Sequence, residues 1–249
     1  MSKSIFIYGF HSVNSQIESA PERILSIKID EGRHDNRIDS LKNELNALGI
    51  KYNHCSKNHL HKLSGEIKNQ GVVAEIVAPT LPNQNELIKF IGETDKPLLI
   101  LILDSIQDPR NMGACLRSAN AANVDCVIIN KDGSAPINSL VHKTSAGSLA
   151  HTKVFQVTNL SRTIKSLQDK DIWVVGLDGN TKVPIYSIDF KGSSAIVMGS
   201  EGVGLRKLTK QSCDQLAAIP MGGNVESLNV SVAAGVALFE VARQRNYNI

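Results

Sequence analysis

Six short apolar runs, separated mostly by helical patterns, constrain the fold of this 249-residue chain more than any other feature of its sequence. Most of the runs are bounded by Gly, Asp or Asn, and they lack the alternation of a strand with one face in water. Continuous apolar strands that alternate with helices are typical of a parallel sheet covered on both faces. The runs occupy residues 98–103, 124–130, 153–157, 172–177, 195–198 and 216–219.

The part of the chain before these runs predicts a smaller α/β domain over residues 1–77. Short strand and helix patterns alternate there, and the clearest is a helix at 37–48 whose apolar residues Ile38, Leu41, Leu45 and Leu48 share one face. Prolines then enclose a short helical pattern, which indicates a linker over residues 78–96. The second domain is expected to span residues 97–249.

Composition narrows the class of protein. A hydrophobic content of 42% and a charged content of 20% are typical of a globular domain, and no apolar run approaches the roughly 20 residues that cross a bilayer. The four cysteines form no CxxC pair, so we expect reduced thiols in a cytoplasmic protein with no membrane partner. The residues His54, Cys55, His59 and His61 fit zinc spacings poorly, so no metal is expected. The net charge of +3 identifies no partner.

The first of three loops with chemically useful residues follows the run at 98–103 and reads DSIQDPRNMGACLRSA from Asp104. Pro109 predicts a turn, and Asn111 is the expected N-cap of the next helix. Arg117 lies about two turns into that helix. A surface arginine on a capped helix is also an ordinary structural feature, so this loop alone does not identify a function.

The second loop, GSEGVG at residues 199–204, directly follows the apolar run at 195–198. Its glycines allow positive φ angles and a close approach of the backbone to a ligand. The glycine order differs from the dinucleotide-binding fingerprint and the matching acidic residue is missing, which argues against a Rossmann-type dehydrogenase. A tight turn has no structural need for a carboxylate, so Glu201 is a candidate functional residue.

The third loop, PMGGNVESLN at residues 220–229, precedes a long apolar helical pattern at 230–243. Ser227 or Asn229 is suited to cap that helix. A capped core helix explains much of this segment, but it does not explain the two glycines and several polar residues ahead of the cap.

Together the three loops resemble the signature motifs of the SpoU (TrmH-type) branch of the SPOUT superfamily of RNA methyltransferases. The shared stretches are LILD-x3-DP-x-N-x-GACLRSA, VMG-x-EG-x-G and SLNVSVA, in that order over about 150 residues. The likeness extends through the N-terminal segment and the linker. It is greatest for the enzymes that methylate a guanosine in the P-site loop of 23S rRNA.

The resemblance implies a SPOUT catalytic domain, an α/β fold whose C-terminal part forms a deep trefoil knot, which periodicity cannot show. It implies S-adenosylmethionine as the methyl donor, bound at Gly199, Ile219 and Leu228, and a ribose 2′-hydroxyl as the acceptor. Members of the family work as homodimers. Arg117 of one chain is therefore expected at the cofactor site of its partner.

The resemblance also makes Asn111, Arg117, Glu201, Ser227 and Asn229 the polar catalytic positions. A ribose hydroxyl is almost wholly protonated at neutral pH, so a neighbouring group must accept its proton or stabilise the alkoxide. Because arginine stays protonated in proteins, we expect Arg117 to lower the pKa of the hydroxyl and bind the adjacent phosphate. Glu201 or a water would take the proton. We expect Glu201 to pair with Arg117, and the two asparagines to orient Arg117 or the ribose.

The N-terminal domain resembles the small L30e-like α/β domain with which these enzymes grip RNA. Arg33 and Arg37 are candidate phosphate contacts, although a solvated loop accounts for them equally well. Residues 69–71 match a stretch that is common in the family. The aromatic content of 4% leaves few surfaces for base stacking, which argues against sequence-tolerant binding of single strands.

Two further interpretations keep the same fold. The first is a tRNA ribose methyltransferase that acts on a guanosine; the N-terminal domain argues against it, since the tRNA enzyme typically lacks one. The second is a non-enzymatic RNA-binding or ribosome-assembly factor, which the intact set of polar positions opposes. The expected partner is 23S rRNA or an assembly intermediate of the large subunit.

Overall fold

The computed structural model describes residues 4–65 and 68–245, and these form two compact units. The first unit comprises Met1–Thr80 and Ile137–His151, and the second comprises Leu81–Pro136 and Thr152–Ile249. Each unit has its own sheet and its own hydrophobic core. No helix within the described residues is both long enough and apolar enough to cross a membrane.

The first unit contains a four-stranded mixed sheet in the order β1-β4-β2-β3. β4 pairs in antiparallel fashion with β1 and with β2, and β3 extends β2 in parallel. The elements of the N-terminal segment are β1 (Ser4–Tyr8), α1 (Phe10–Ser19), β2 (Ile24–Asp30), α2 (Asn36–Ala47), β3 (Tyr52–Cys55), α3 (Lys57–Ser64) and β4 (Val72–Val77).

Helix α2 shows how the sequence builds this core. The carboxylate of Asp35 caps the helix by accepting two backbone N–H groups of the first turn. Ile38, Leu41 and Leu45 are buried, as their spacing predicts. Leu48 was predicted to share their face, and that prediction is wrong: the helix ends at Ala47 and the side chain of Leu48 is 55% exposed.

The second unit contains a six-stranded sheet in the order β10-β8-β9-β5-β6-β7, and every neighbouring pair is parallel. Each of the six predicted apolar runs overlaps one strand, so the predicted parallel sheet is confirmed. The remaining elements of the chain are α4 (Gln84–Gly92), β5 (Leu99–Asp104), α5 (Pro109–Ala121), β6 (Cys126–Asn130), α6 (Ser139–Thr144), β7 (Val154–Val157), α7 (Leu160–Gln168), β8 (Trp173–Leu177), β9 (Ser194–Gly199), α8 (Lys207–Ser212), β10 (Gln215–Ala217) and α9 (Val230–Gln244).

The predicted linker at 78–96 differs from what the structure shows. Its helical pattern forms α4, which belongs to the second unit and buries Leu87 and Ile91 in the core of that unit. Asn83 and Glu86 form a capping box at the start of the helix. An amphipathic, capped helix has an apolar face to bury, and it therefore packs on the domain that follows instead of spanning a gap.

A second difference concerns residues 137–151. In the sequence they come between β6 and β7, which are strands of the second sheet, yet they belong to the first unit. The hydroxyl of Ser12 in α1 donates to the carbonyl of His142 in α6. A Cβ atom on Gly147 would lie 2.9 Å from the backbone oxygen of His11, so only glycine allows this close approach to α1. Burial lowers the pKa of His142 to about 4, so this imidazole is neutral in the fold at physiological pH.

Candidate active site

A cavity of about 990 Å³ lies at the carboxyl ends of β8 and β9. In parallel α/β sheets, ligands bind at this edge because the loops that follow neighbouring strands converge there. All three positions predicted to bind the cofactor line the cavity, together with three of the predicted catalytic positions. These six residues are Gly199, Ile219, Leu228, Glu201, Ser227 and Asn229.

The loop after β9, residues 199–206, folds back on itself. Ser200 and Gly204 exchange two backbone hydrogen bonds of 3.1 and 2.9 Å. A Cβ atom on Gly199 would lie only 2.1 Å from the carbonyl carbon of Gly204, so a side chain cannot fit there. This narrow turn presents its backbone to the cavity and holds Glu201 at an exposed position.

Asn229 is the centre of a hydrogen-bond network at the start of α9. Its Oδ1 accepts from the backbone N–H and the hydroxyl of Ser231, at 3.0 and 2.6 Å, which makes Asn229 the N-cap of the helix. Its Nδ2 donates to Oε1 of Glu201 at 2.5 Å and to Oδ1 of Asn111 at 3.0 Å. Because the cap fixes the orientation of the amide, Nδ2 must face these two residues.

Asn111 was predicted to cap α5, and the structure corrects this. The cap is Asp108, whose carboxylate accepts the N–H of Arg110, and Pro109 is the first helical residue. Proline suits that position because its missing N–H would have no partner in the helix. Asn111 lies in the first turn instead, where its Oδ1 accepts from Asn229. Its amide nitrogen has no hydrogen-bond partner among the described residues.

Arg117 lies on an exposed face of α5. Among the described residues, its guanidinium has no hydrogen-bond or ion-pair partner. The expected pair of Glu201 with Arg117 is therefore not formed within the chain, since Glu201 binds Asn229 instead. An exposed, unpaired guanidinium remains available to a partner from outside the chain.

The sequence did not point to an ion pair in the cavity wall. Asp178 directly follows β8, and Nζ of Lys210 in α8 contacts its Oδ2. Burial would raise the pKa of Asp178, but hydrogen bonds from Lys210 and Asn180 outweigh this and hold the pKa below its usual value. The position of Asp178 at the carboxyl end of a predicted strand was the only available signal, because Lys210 is 32 residues away in sequence.

The arrangement of the cavity suits a ligand with both apolar and charged parts. The turn after β9 supplies backbone polar groups to the cavity. The apolar part of the cavity wall is formed by Leu177, Met198, Leu205, Ile219 and Leu228. The carboxylate of Glu201 and the amides of Asn229 and Asn111 lie together at one side. The site therefore combines a binding slot with a cluster of polar groups that can orient and deprotonate a hydroxyl. No cluster of His, Cys, Asp or Glu suited to a metal ion occurs in residues 4–65 or 68–245.

The two RNA-binding candidates of the first unit differ in their surroundings. The guanidinium of Arg33 binds the carboxylate of Asp35 and the backbone oxygen of Gln70, and lies 5.0 Å from the ring centre of Phe10. Arg37 is exposed at the start of α2. Arg33 thus stabilises the loop before β4 through its contact with Gln70, whereas Arg37 is exposed to solvent.

Two family models match the chain. The model of the SpoU rRNA Methylase family matches residues 98–239. A second model, described as RNA 2′-O ribose methyltransferase substrate binding, matches residues 6–82. The two matches correspond to the second sheet with its cavity and to the N-terminal sheet, respectively.

Relatives extend over nearly the whole chain. It is 46% identical to the 23S rRNA (guanosine-2′-O-)-methyltransferase RlmB of Coxiella burnetii, over 98% of each chain. It is 45% identical to the protein of the same name from Haemophilus ducreyi, over 96% of this chain and 97% of that one. The crystal structure of the SpoU methyltransferase AviRb from Streptomyces viridochromogenes, in complex with AdoMet, has the same fold, with a TM-score of 0.81, 21% identity, and coverage of 97% of this chain and 90% of that one. The chain belongs to the SpoU rRNA methylase family.

Proposed function

We propose that this protein transfers a methyl group from S-adenosylmethionine to the ribose 2′-hydroxyl of a guanosine in the P-site loop of 23S rRNA. The observation that carries this proposal is the network of Glu201, Asn229 and Asn111 beside the cavity at the end of β9. The names of relatives that are 45–46% identical over nearly the full length supply the substrate.

The cavity fits S-adenosylmethionine by the chemistry of its wall. We assign the adenosine to the apolar section at Ile219 and Leu228, with backbone groups of the turn at Gly199 as polar partners. The ion pair of Asp178 and Lys210 adds a charged section for the hydroxyl or amino-acid groups of the ligand. When bound, the cofactor supplies a methyl carbon activated by its sulfonium, and much of the rate then comes from alignment of the two substrates.

We assign the acceptor of the 2′-hydroxyl proton to Glu201 on the basis of this network. Glu201 uses Oε1 to accept from Asn229, which leaves Oε2 as the acceptor for the 2′-hydroxyl proton, directly or through a water. The amide nitrogen of Asn111 has no partner among the described residues, and we assign it to a ribose or phosphate oxygen. Ser227 lines the same cavity and supplies a further hydroxyl near the ribose.

Arg117 acts by its charge in this proposal. A guanidinium is not a base, but its positive charge next to a ribose lowers the pKa of the 2′-hydroxyl and binds the neighbouring phosphate. Arg117 is exposed and finds no partner within the described part of its own chain. We therefore propose that it completes the cofactor site of a second chain in a homodimer.

The surface of α9 supports the homodimer. Val232 and Phe239 on this helix are 52% and 44% exposed, and they are seven positions apart, so both lie on one side. Phe239→Glu places a charge in the proposed interface and should convert the dimer to an inactive monomer, as measured by light scattering and methyl transfer. Leu48→Glu, which changes a somewhat more exposed apolar residue of the first unit, should remain a dimer.

We further propose the family's trefoil knot for the C-terminal part of the second unit and an L30e-like, RNA-binding role for residues 1–77. The match of the SpoU rRNA Methylase model to residues 98–239 and the fold shared with AviRb support the knot. The match of the substrate-binding model and the exposed Arg37 support the RNA-binding role. A 23S rRNA target, free or in an assembly intermediate, places the enzyme in the cytoplasm.

The test is methyl transfer from labelled S-adenosylmethionine to separate pools of unmodified 23S rRNA, 16S rRNA and tRNA. Label in 23S rRNA is the expected result. Label in tRNA alone would keep the chemistry and overturn the substrate. Tight rRNA binding without transfer to any pool, including assembly intermediates, would favour a non-enzymatic assembly factor.

A further inference from the structure

The carboxylate of Asp104, the last residue of β5, is fully buried and ionically paired. Its Oδ1 accepts from Nε of Arg206 at 2.6 Å and from the hydroxyl of Ser105 at 3.2 Å. Its Oδ2 accepts from the backbone N–H of Arg206 at 3.1 Å. One arginine thus binds both oxygens, through its main chain and its side chain. Burial of a carboxylate is unfavourable unless such partners are present.

This pair lies at the end of the loop after β9, residues 199–206, which we call the cofactor turn. Asp104 and Gly199 are register partners in the parallel pair β5–β9. The chain leaves the sheet at Gly199, turns through residues 200–205, and returns to Asp104 at Arg206. Both ends of the turn are therefore attached to the same position of β5.

Few hydrogen bonds hold this turn. Residues 201–204 are exposed, whereas Leu205 is buried in the hydrophobic core of the second unit. The described hydrogen bonds within the turn are the two backbone bonds between Ser200 and Gly204 and the bond from Asn229 to Glu201. The side chain of Arg206 is about half exposed, so its role is not to fill the core. Without the pair, Leu205 would still anchor the end of the turn in the core, but residues 200–204 would lose the attachment that Arg206 makes to β5 and would become more mobile.

We infer that Asp104 and Arg206 are positioning residues that fix the cofactor turn in its binding conformation and thereby set the affinity for the cofactor. This rests on the proposed function, in which the turn binds S-adenosylmethionine. Loss of the pair lowers the fraction of molecules with a competent turn, and the apparent dissociation constant rises by the inverse of that fraction. Saturating cofactor restores the turn, so KM for the cofactor should rise while kcat changes little.

The experiment measures binding of S-adenosylhomocysteine by calorimetry to wild type, Asp104→Asn, Arg206→Gln and the double variant. Each single variant should bind roughly 10- to 100-fold more weakly. The double variant should bind no more weakly than the weaker single variant, because both changes remove the same contact. Lys207→Gln removes a charge from the adjacent exposed residue and should bind like wild type.

A second readout guards against simple misfolding. Arg206→Gln leaves the buried carboxylate of Asp104 without its ion-pair partner and should lower the melting temperature. The double variant Asp104→Asn/Arg206→Gln buries no charge, so it should melt nearer to wild type, while its backbone amides at residues 200–206 still exchange faster with solvent than those of wild type. Affinity of Arg206→Gln equal to that of Lys207→Gln, or a fall in kcat without a change in KM, would overturn the inference. Failure of the wild type itself to bind the probe would instead refute the proposed cofactor site.

Discussion

Asn229 and Glu201, which are 28 positions apart in the chain, share a hydrogen bond of 2.5 Å from the amide Nδ2 to the carboxylate Oε1. The same nitrogen also donates to Oδ1 of Asn111, and the opposite oxygen of Asn229 caps α9. The residue that begins the helix therefore also fixes the proposed proton acceptor. Because Oδ1 of Asn229 is held by the cap, its Nδ2 is the atom that faces Glu201.

Asn229→Asp tests this double role. A carboxylate still accepts the backbone N–H of Ser231, so α9 keeps its cap and the melting temperature should change by only a few degrees. The donor to Glu201 is lost and two carboxylates then face each other, so kcat should fall roughly 100-fold or more, the scale of losing one aligned hydrogen-bond donor. Steady-state kinetics and thermal melting measure the two effects. Retention of wild-type kcat would remove Asn229 from the mechanism.

Gly199→Ala tests the shape of the turn. The added Cβ would lie 2.1 Å from the carbonyl carbon of Gly204, so the backbone must move and the turn must open. We expect at least roughly 100-fold weaker binding of S-adenosylhomocysteine, equivalent to about 2.7 kcal/mol. Gly192→Ala is the matched control, since a Cβ there meets no atom within 4 Å. Equal affinity of the two variants would show that the turn does not form the binding surface.

Arg117→Lys tests whether a specific guanidinium is needed. Lysine keeps the charge but not the planar fork that binds phosphate in two places, so activity should fall roughly 10-fold or more at unchanged stability. Calorimetry should show cofactor affinity within a factor of two of wild type, because Arg117 is assigned to the ribose and phosphate of the RNA and not to the cofactor. Full activity of the lysine variant would exclude a specific guanidinium role.

Mixing two inactive variants tests whether Arg117 acts on the partner chain. Arg117→Ala and Asn229→Asp should each be inactive alone. If the site takes its arginine from the partner, each heterodimer contains one intact site, and random exchange of subunits should restore about a quarter of wild-type activity. If Arg117 acts within its own chain, no site in the mixture is intact and activity should stay at the level of the separate variants.

His142 predicts a pH dependence of stability. Burial lowers its pKa from 6.5 to about 4 in the folded chain. The unfolded chain therefore binds a proton on this histidine more readily than the folded chain does. The contribution of His142 to the free energy of unfolding is fully present above pH 6.5 and is lost as the pH drops from 6.5 toward 4. The contribution is at most about 3 kcal/mol at 1.36 kcal/mol per unit of pKa. His142→Leu should flatten urea unfolding midpoints over this range, whereas His34→Gln, at an exposed position, should not. Parallel pH profiles for all three proteins would contradict this role of His142.

The parallel sheet was predictable because each of its strands is buried on both faces and appears as an unbroken apolar run. The loops at its carboxyl edge were also predictable as a group, since their glycines and polar residues follow predicted strands. Gly199, Glu201 and Asn229 do line one cavity. The sequence left Ser227 and Asn229 as alternative caps of α9, because both side chains have an oxygen suited to that position. The structure shows that Asn229 is the cap.

Contacts between distant residues were not predictable. Asp104 and Arg206 are 102 positions apart, and nothing in either local pattern indicates the other. The same holds for Asp178 with Lys210 and for the packing of His142 on α1. The choice of Asp108 over Asn111 as the cap depended on Pro109, whose preference for the first helical position outweighs the general suitability of asparagine.

Ribose methylation of the P-site loop is measured most directly by nucleoside mass spectrometry of 23S rRNA before and after incubation with the protein and S-adenosylmethionine. We expect one new 2′-O-methylguanosine per 23S molecule, located in a fragment that contains the P-site loop, and none with Asn229→Asp. A methyl group on a base, on a nucleoside other than guanosine, or on the ribose of a tRNA in place of 23S rRNA would contradict this expectation.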